Sequence, residues 1–185
     1  MSKADGSLSS PAPQYYSAFK VKYRLGMQDP EETEARHHTV LFIETDLDGA
    51  GWIHDVSGDL TSSSGMQYLR TEGCRPEICE TFYNKKLLGR VHARDYPAAV
   101  ERVCHAHPPP HRQKAFNAKT MRTEACRPDG TFYSTDEPRP RFFKCTEWIE
   151  DKVIPDLYRV GIIQQSSNAI ISGPCDNGDL SLNTL

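Results

Sequence analysis

The sequence predicts an α+β domain in which a small antiparallel sheet packs on one long helix. Three patterns point there. Apolar and polar residues alternate through residues 18–25; a β-branched and aromatic run at 38–44 is followed by a turn and a second short run; and an apolar stripe extends from Cys145 to about Arg159. The chain has 185 residues, which fits a single core at residues 16–172 with flexible tails at 1–15 and 173–185.

The elements follow in order. At 18–25 the lysines and arginine alternate with Phe19, Val21, Tyr23 and Leu25, predicting a strand with one wet face. HTVLFIE at 38–44 is the strongest strand, DLDGAG at 46–51 supplies a turn, and Trp52–Val56 returns as the second arm of a hairpin. Weaker strand patterns lie at 66–70 and 81–83, and helical spacing at 96–105. Residues 108–141 hold six of the 13 prolines and predict extended, looping chain. A helix then opens at Cys145, with Trp148, Ile149, Val153, Leu157 and Tyr158 on one face, and Pro155 should kink or divide it. Residues 160–163 read as a short strand or a further turn. The segments TEGCRPEICETFY and TEACRPDGTFY echo each other at 71–83 and 123–133, and they read as two similar turns leading into strands.

Composition narrows the function classes. The net charge of −3 excludes a histone-like polycation, although residues 102–144 carry nine basic against four acidic side chains. No apolar run approaches the roughly 18 residues needed to cross a bilayer, so a cytoplasmic protein with reduced thiols is expected rather than a disulfide framework. CHAHPPPH at 104–111 contains zinc-ligand types but no second suitably spaced pair, so a loop is expected there and no metal or other cofactor. ETDLDG at 44–49 imitates half a calcium loop and lacks the glutamate that would finish it. Phosphate-loop and GxSxG patterns are absent. SAFK at 17–20 matches SxxK without the partner motifs of that class.

The candidate chemistry centres on Cys145. A helix start presents free N–H groups and partial positive charge, which favour thiolate, and a thiolate nucleophile needs a histidine to move protons. His38 at the head of the strong strand is the candidate base. His54 lies across the hairpin as the residue expected to orient it. Trp52, Arg141 and Lys144 are the candidate substrate-binding residues.

HTVLFIE, then GWIHDVSG, then CTEW opening a helix, resembles the permuted branch of the papain-like cysteine enzymes, which includes NlpC-like peptidases and the lecithin retinol acyltransferase group. Members open a strand with HWAL or HWGI, carry an orienting polar residue on the next strand, and place the cysteine later at a helix start. The resemblance covers residues 36–58 and 144–157, with Thr39 where tryptophan is common and Lys144 where asparagine is common. It implies a papain-like, NlpC-like core and acyl transfer through Cys145, His38 and His54 to a small acyl or aminoacyl substrate. KCTEW, QKAFN and GDLTS are similar to small fungal proteins, some encoded beside natural-product pathways. That implies as an alternative the fungal arginine-containing cyclodipeptide synthases, which use aminoacyl-tRNA. A non-catalytic binding module on the same fold is the third reading.

Overall fold

The computed structural model describes residues 14–27, 32, 34–134 and 136–165. The expected tail at 173–185, nearly all of the one at 1–15, and Cys175 lie outside the described residues. The architecture is α+β. Strands β1 (Tyr15–Arg24), β2 (His37–Glu44), β3 (Gly51–Gly58), β4 (Met66–Gly73), β5 (Phe82–His92) and the two-residue β8 (Ile163–Gln164) form one sheet in the order β4-β3-β2-β1-β5-β8. Every neighbouring pair is antiparallel.

β2 is one of the two middle strands, and Thr39 to Ile43 are all buried. That continuous burial explains why its sequence is an unbroken apolar run rather than an alternating one. The hairpin to β3 closes where Thr45 and Asp46 N–H both bond to the Ala50 carbonyl. Gly49 takes φ +89° there, and a Cβ on Gly51 would stand 2.1 Å from the Ile43 carbonyl oxygen, so the glycines are required by the turn and by the close strand approach.

The expected wet face of β1 is corrected by the structure, because both faces of that strand are covered. Ala18 joins the main core while Val21, with Val40 and Phe42, forms a second cluster on the other face. Lys20 and Lys22 are not solvated either, since both bond to Glu150 of the helix above at 3.1 and 2.8 Å. β5 is longer than its pattern predicts. Its register against β1 shifts twice, and Gly89 at φ +152° marks the irregularity, which broke the alternation in the sequence. Lys85 there sets its ammonium 4.1 Å over the Phe19 ring and pairs with Glu44 and Glu77, so a lysine covers part of the second apolar face.

Helix α1 (Ala98–Ala106) forms where its spacing predicts, burying Ala99, Val100, Val103 and Cys104. The proline-rich stretch also holds a hairpin, β6 (Lys114–Asn117) with β7 (Arg122–Ala125), that composition concealed. The cysteine helix begins as α2 (Cys145–Glu147), widens into a π turn over Trp148–Val153 and finishes as α3 (Ile154–Arg159). Pro155 does not divide it. The Ile154 N–H bonds five residues back to Ile149, and the wider turn makes room for a proline ring that would otherwise meet the carbonyl of residue 151. Trp148, Ile149, Val153 and Leu157 are fully buried against the sheet.

Candidate active site

The β2–β3 ladder runs only from Leu41 opposite His54 to Glu44 opposite Gly51. Beyond it, the head of β2 stays paired with β1 while the tail of β3 stays paired with β4, so the sheet opens into a wedge. The start of the cysteine helix fills that wedge and takes over backbone groups that β3 no longer reaches. Cys145 Sγ lies 4.0 Å from the His37 carbonyl oxygen. Thr146 Oγ1 donates to the same carbonyl at 3.3 Å and stands 2.9 Å from Thr39 Oγ1.

Arg36, immediately before β2, clamps this junction. Its guanidinium makes a two-pronged ion pair with Glu147 at 2.8 and 2.6 Å, and Glu147 also accepts the Lys144 N–H at 3.0 Å, capping the helix. Burial pushes the Glu147 carboxyl up, but the Arg36 bonds outweigh it and the net shift is downward.

His38 is a direct cross-strand partner of Tyr23 and shares its face of β2 with Val40 and Phe42. On β3 that face carries Ile53 and Asp55. The His38 Nε2 accordingly meets Asp55 Oδ2 at 2.8 Å, and the imidazole stands near enough to the Cys145 sulfur for each to shift the other's pKa. The Asp55 bond and then the nearby Cys145 sulfur push the His38 pKa up to about 10, against the opposing effect of burial. For Cys145 burial raises the pKa, but the influence of His38, Thr39 and Thr146 prevails and the net shift is downward. The pair therefore favours thiolate and imidazolium. The sulfur is narrow of access, with Cys145 9 % exposed.

His54 does not meet His38, which corrects the orienting role expected of it. In the observed register it pairs with Leu41, on the opposite face, and it is fully buried between Tyr68 OH at 2.7 Å and Tyr96 OH at 3.0 Å. Burial, with Arg70 nearby, lowers its pKa to about 3, so it is a neutral core histidine. Asp55, one residue along, is the side chain that meets His38. Period two identified the two faces of β3, but which of them meets His38 depended on a register that the sequence did not reveal. His37 stacks on the Tyr83 ring at 3.9 Å.

The expected substrate-binding residues are dispersed. Trp52 shares the His54 side of β3, with the Arg70 guanidinium 4.5 Å over its ring. Lys144 adjoins Cys145 and pairs with Glu32 at 2.8 Å, and Arg141 reaches toward Glu147 at 3.7 Å with its side chain 69 % exposed. None of the three lines the cleft beside His38. That cleft, of about 530 Å³, is walled by Tyr23, Leu25, Ile53, Cys74, Pro76 and Cys79 around His38. The first CRP segment thus forms one wall of it. The second turns back on itself through a Cys126–Phe132 bridge and an Arg127–Glu137 ion pair, away from that cleft.

Among the described residues no three His, Cys, Asp or Glu side chains converge as metal ligands. Cys104 lies in the core, and His107 bonds Asp156 at 2.8 Å. The five described cysteines are free thiols, and no described helix is long and apolar enough to cross a membrane.

No curated protein and no solved structure matches the chain. Residues 25–164, which include His38, Asp55 and Cys145, match DUF6540, described as a family of unknown function, and the chain belongs to that family.

Proposed function

We propose that the protein is a cysteine-dependent acyl-transfer enzyme, transferase or hydrolase, on a papain-like core, acting through Cys145, His38 and Asp55. The single observation that carries this reading is that the His38 imidazole bonds to the Asp55 carboxylate at 2.8 Å beside the Cys145 sulfur, three groups supplied by three separate elements. A base held by a third group beside a nucleophile is the arrangement covalent acyl transfer needs.

The Cys145 thiolate attacks the carbonyl of an ester, thioester or amide, forming the C–S bond. His38 gives its proton to the leaving atom as the old bond breaks. The acceptor then gives a proton to His38 and attacks the acyl-enzyme, the C–S bond breaks, and the thiolate returns. Asp55 holds the ring orientation and stabilises the imidazolium. The Cys145 N–H, at the helix start, is the oxyanion donor this reading assigns. A reducing, cytoplasmic compartment suits such a thiol, and no cofactor enters any step.

In the basic stretch Arg127, Arg141 and Lys144 already face Glu137, Glu147 and Glu32, so no observation favours an aminoacyl-tRNA donor over another small acyl donor. Intact-mass detection of a covalent acyl adduct from 4-nitrophenyl acetate, mapped to Cys145 and lost in Cys145→Ser and His38→Ala, tests the proposal. A folded wild-type protein that acquires no adduct at Cys145 would refute it and favour the binding module.

A further inference from the structure

The cleft beside His38 is lined by the histidine but not by Cys145. In acyl transfer these two groups touch different parts of the substrate. The sulfur meets the acyl carbon, whereas the imidazole meets the atom that leaves with a proton or arrives carrying one. A space bordered by the imidazole and not by the sulfur is therefore on the leaving-group and acceptor side.

Its size and walls say what belongs there. About 530 Å³ is far more than the roughly 30 Å³ of a water molecule and falls in the range of small-molecule sites. Tyr23, Leu25, Ile53 and Pro76 supply apolar surface, and Leu25 is 40 % exposed at the cleft although it is a large aliphatic residue. The charged groups at the rim do not favour an anion. Arg24 donates to the Phe82 carbonyl at 2.5 Å and lies over the Tyr83 ring, while Glu72 adds a carboxylate. The wall opposite the sheet is the loop of the first CRP segment, from Cys74 through the single turn Pro76–Ile78 to Cys79.

Resting on the acyl-transfer reading, we infer that this cleft is a subsite for an apolar, uncharged or cationic leaving group or acceptor, an aryl or alkyl alcohol, thiol or amine larger than water. In the first half-reaction the acyl C–X bond breaks and X takes the His38 proton inside the cleft. In the second an acceptor HX′ loses its proton to His38 from the same place, as the C–X′ bond forms and the C–S bond breaks.

The test compares two acetate esters, 2-naphthyl and 2,2,2-trifluoroethyl, on the full chain, with acetylation of Cys145 followed by mass spectrometry. Cys74→Trp and Thr81→Trp, at two lining positions, each narrow the cleft. The naphthyl rate is expected to fall about tenfold or more, a loss on the scale of a filled apolar pocket, while the trifluoroethyl rate changes less than about threefold. The retained trifluoroethyl rate shows that the variant's site is intact, and either variant suffices. Equal losses for both esters in both variants, or an unchanged naphthyl rate, overturn the subsite. If neither ester acetylates Cys145 in the wild-type protein, the acyl-transfer reading itself fails, and the subsite with it.

Discussion

Asp55 Oδ2 stands 2.8 Å from His38 Nε2, while His54, the adjacent residue on the same strand, is turned to the far side of the sheet and bonded to two tyrosine hydroxyls. Neighbouring residues on one strand thus serve two separate polar systems, one bordering a cleft and one in the core. The division gives each position its own signature under mutation.

At the cleft, Asp55→Asn keeps the size of the side chain but removes the charge that favours the imidazolium. Acylation of Cys145 is expected to slow about 100-fold or more, comparable to losing a general acid or base, with little change in the thermal midpoint. His54→Gln should do the reverse. A variant pair in which His54→Gln abolished acylation and Asp55→Asn did not would reassign the orienting residue.

The pH–rate profile for acylation should be bell-shaped and belong to the Cys145–His38 pair rather than to either group alone. Activity falls on the acid side as the thiolate, its pKa shifted downward, takes up a proton. On the alkaline side it falls as His38 loses its proton near pH 10. Asp55→Asn removes the largest upward influence on His38, so its alkaline limb should move to lower pH. An alkaline limb indifferent to that substitution would count against the Asp55 contact.

His54 links acid to stability. Its folded pKa of about 3 lies below the unfolded value near 6.5, so the unfolded chain binds the extra proton. The contribution of a neutral His54 is therefore complete above about pH 6.5 and is lost as the pH falls toward 3, with a limiting slope of about 1.4 kcal/mol per pH unit. Urea midpoints measured from pH 7 to pH 4 in wild type and His54→Gln check this, since the variant should lose that component of the slope. His54→Ala, which leaves both tyrosine hydroxyls without their partner and opens a cavity, should cost about 2–4 kcal/mol at neutral pH.

Limiting iodoacetamide at pH 6 separates the thiols. Cys145 and Cys79 should label early, the first through His38 and the second, exposed, through its bonds to Thr81 at 3.2 Å. Cys104, pushed up to about 12 by burial, should label last. His38→Ala should slow Cys145 alone and Thr81→Ala should slow Cys79 alone, read by peptide mapping. Parallel changes at both cysteines in either variant would contradict separate local causes.

The Arg36–Glu147 clamp predicts a structural cost next to the site. The two side chains are 8 % and 12 % exposed, and removing one leaves the other charge poorly compensated. Arg36→Met is expected to destabilise the fold by about 3 kcal/mol in urea titration, and Arg36→Met with Glu147→Gln by less than the sum of the two single changes. Additive losses would show that the pair is not coupled.

By itself the sequence determined the α+β class, the central strand, the hairpin to β3 and the helix opening at Cys145. These features rest on local patterns: an apolar run, turn glycines and a 3.6-residue stripe, which act within a few residues of themselves. Tertiary structure alone decided the rest. The partner of His38 depended on strand register, where a shift of one residue exchanges the faces and so exchanges Asp55 for His54. The length of β5 was hidden by two register shifts that broke its alternation, and the covered face of β1 by lysines that look solvated until Glu150 is brought over them. The cleft depended on a loop from beyond β4 closing over the second face of the sheet. Each of these is set by residues that are distant in the chain and adjacent only after folding, so no local pattern could encode them.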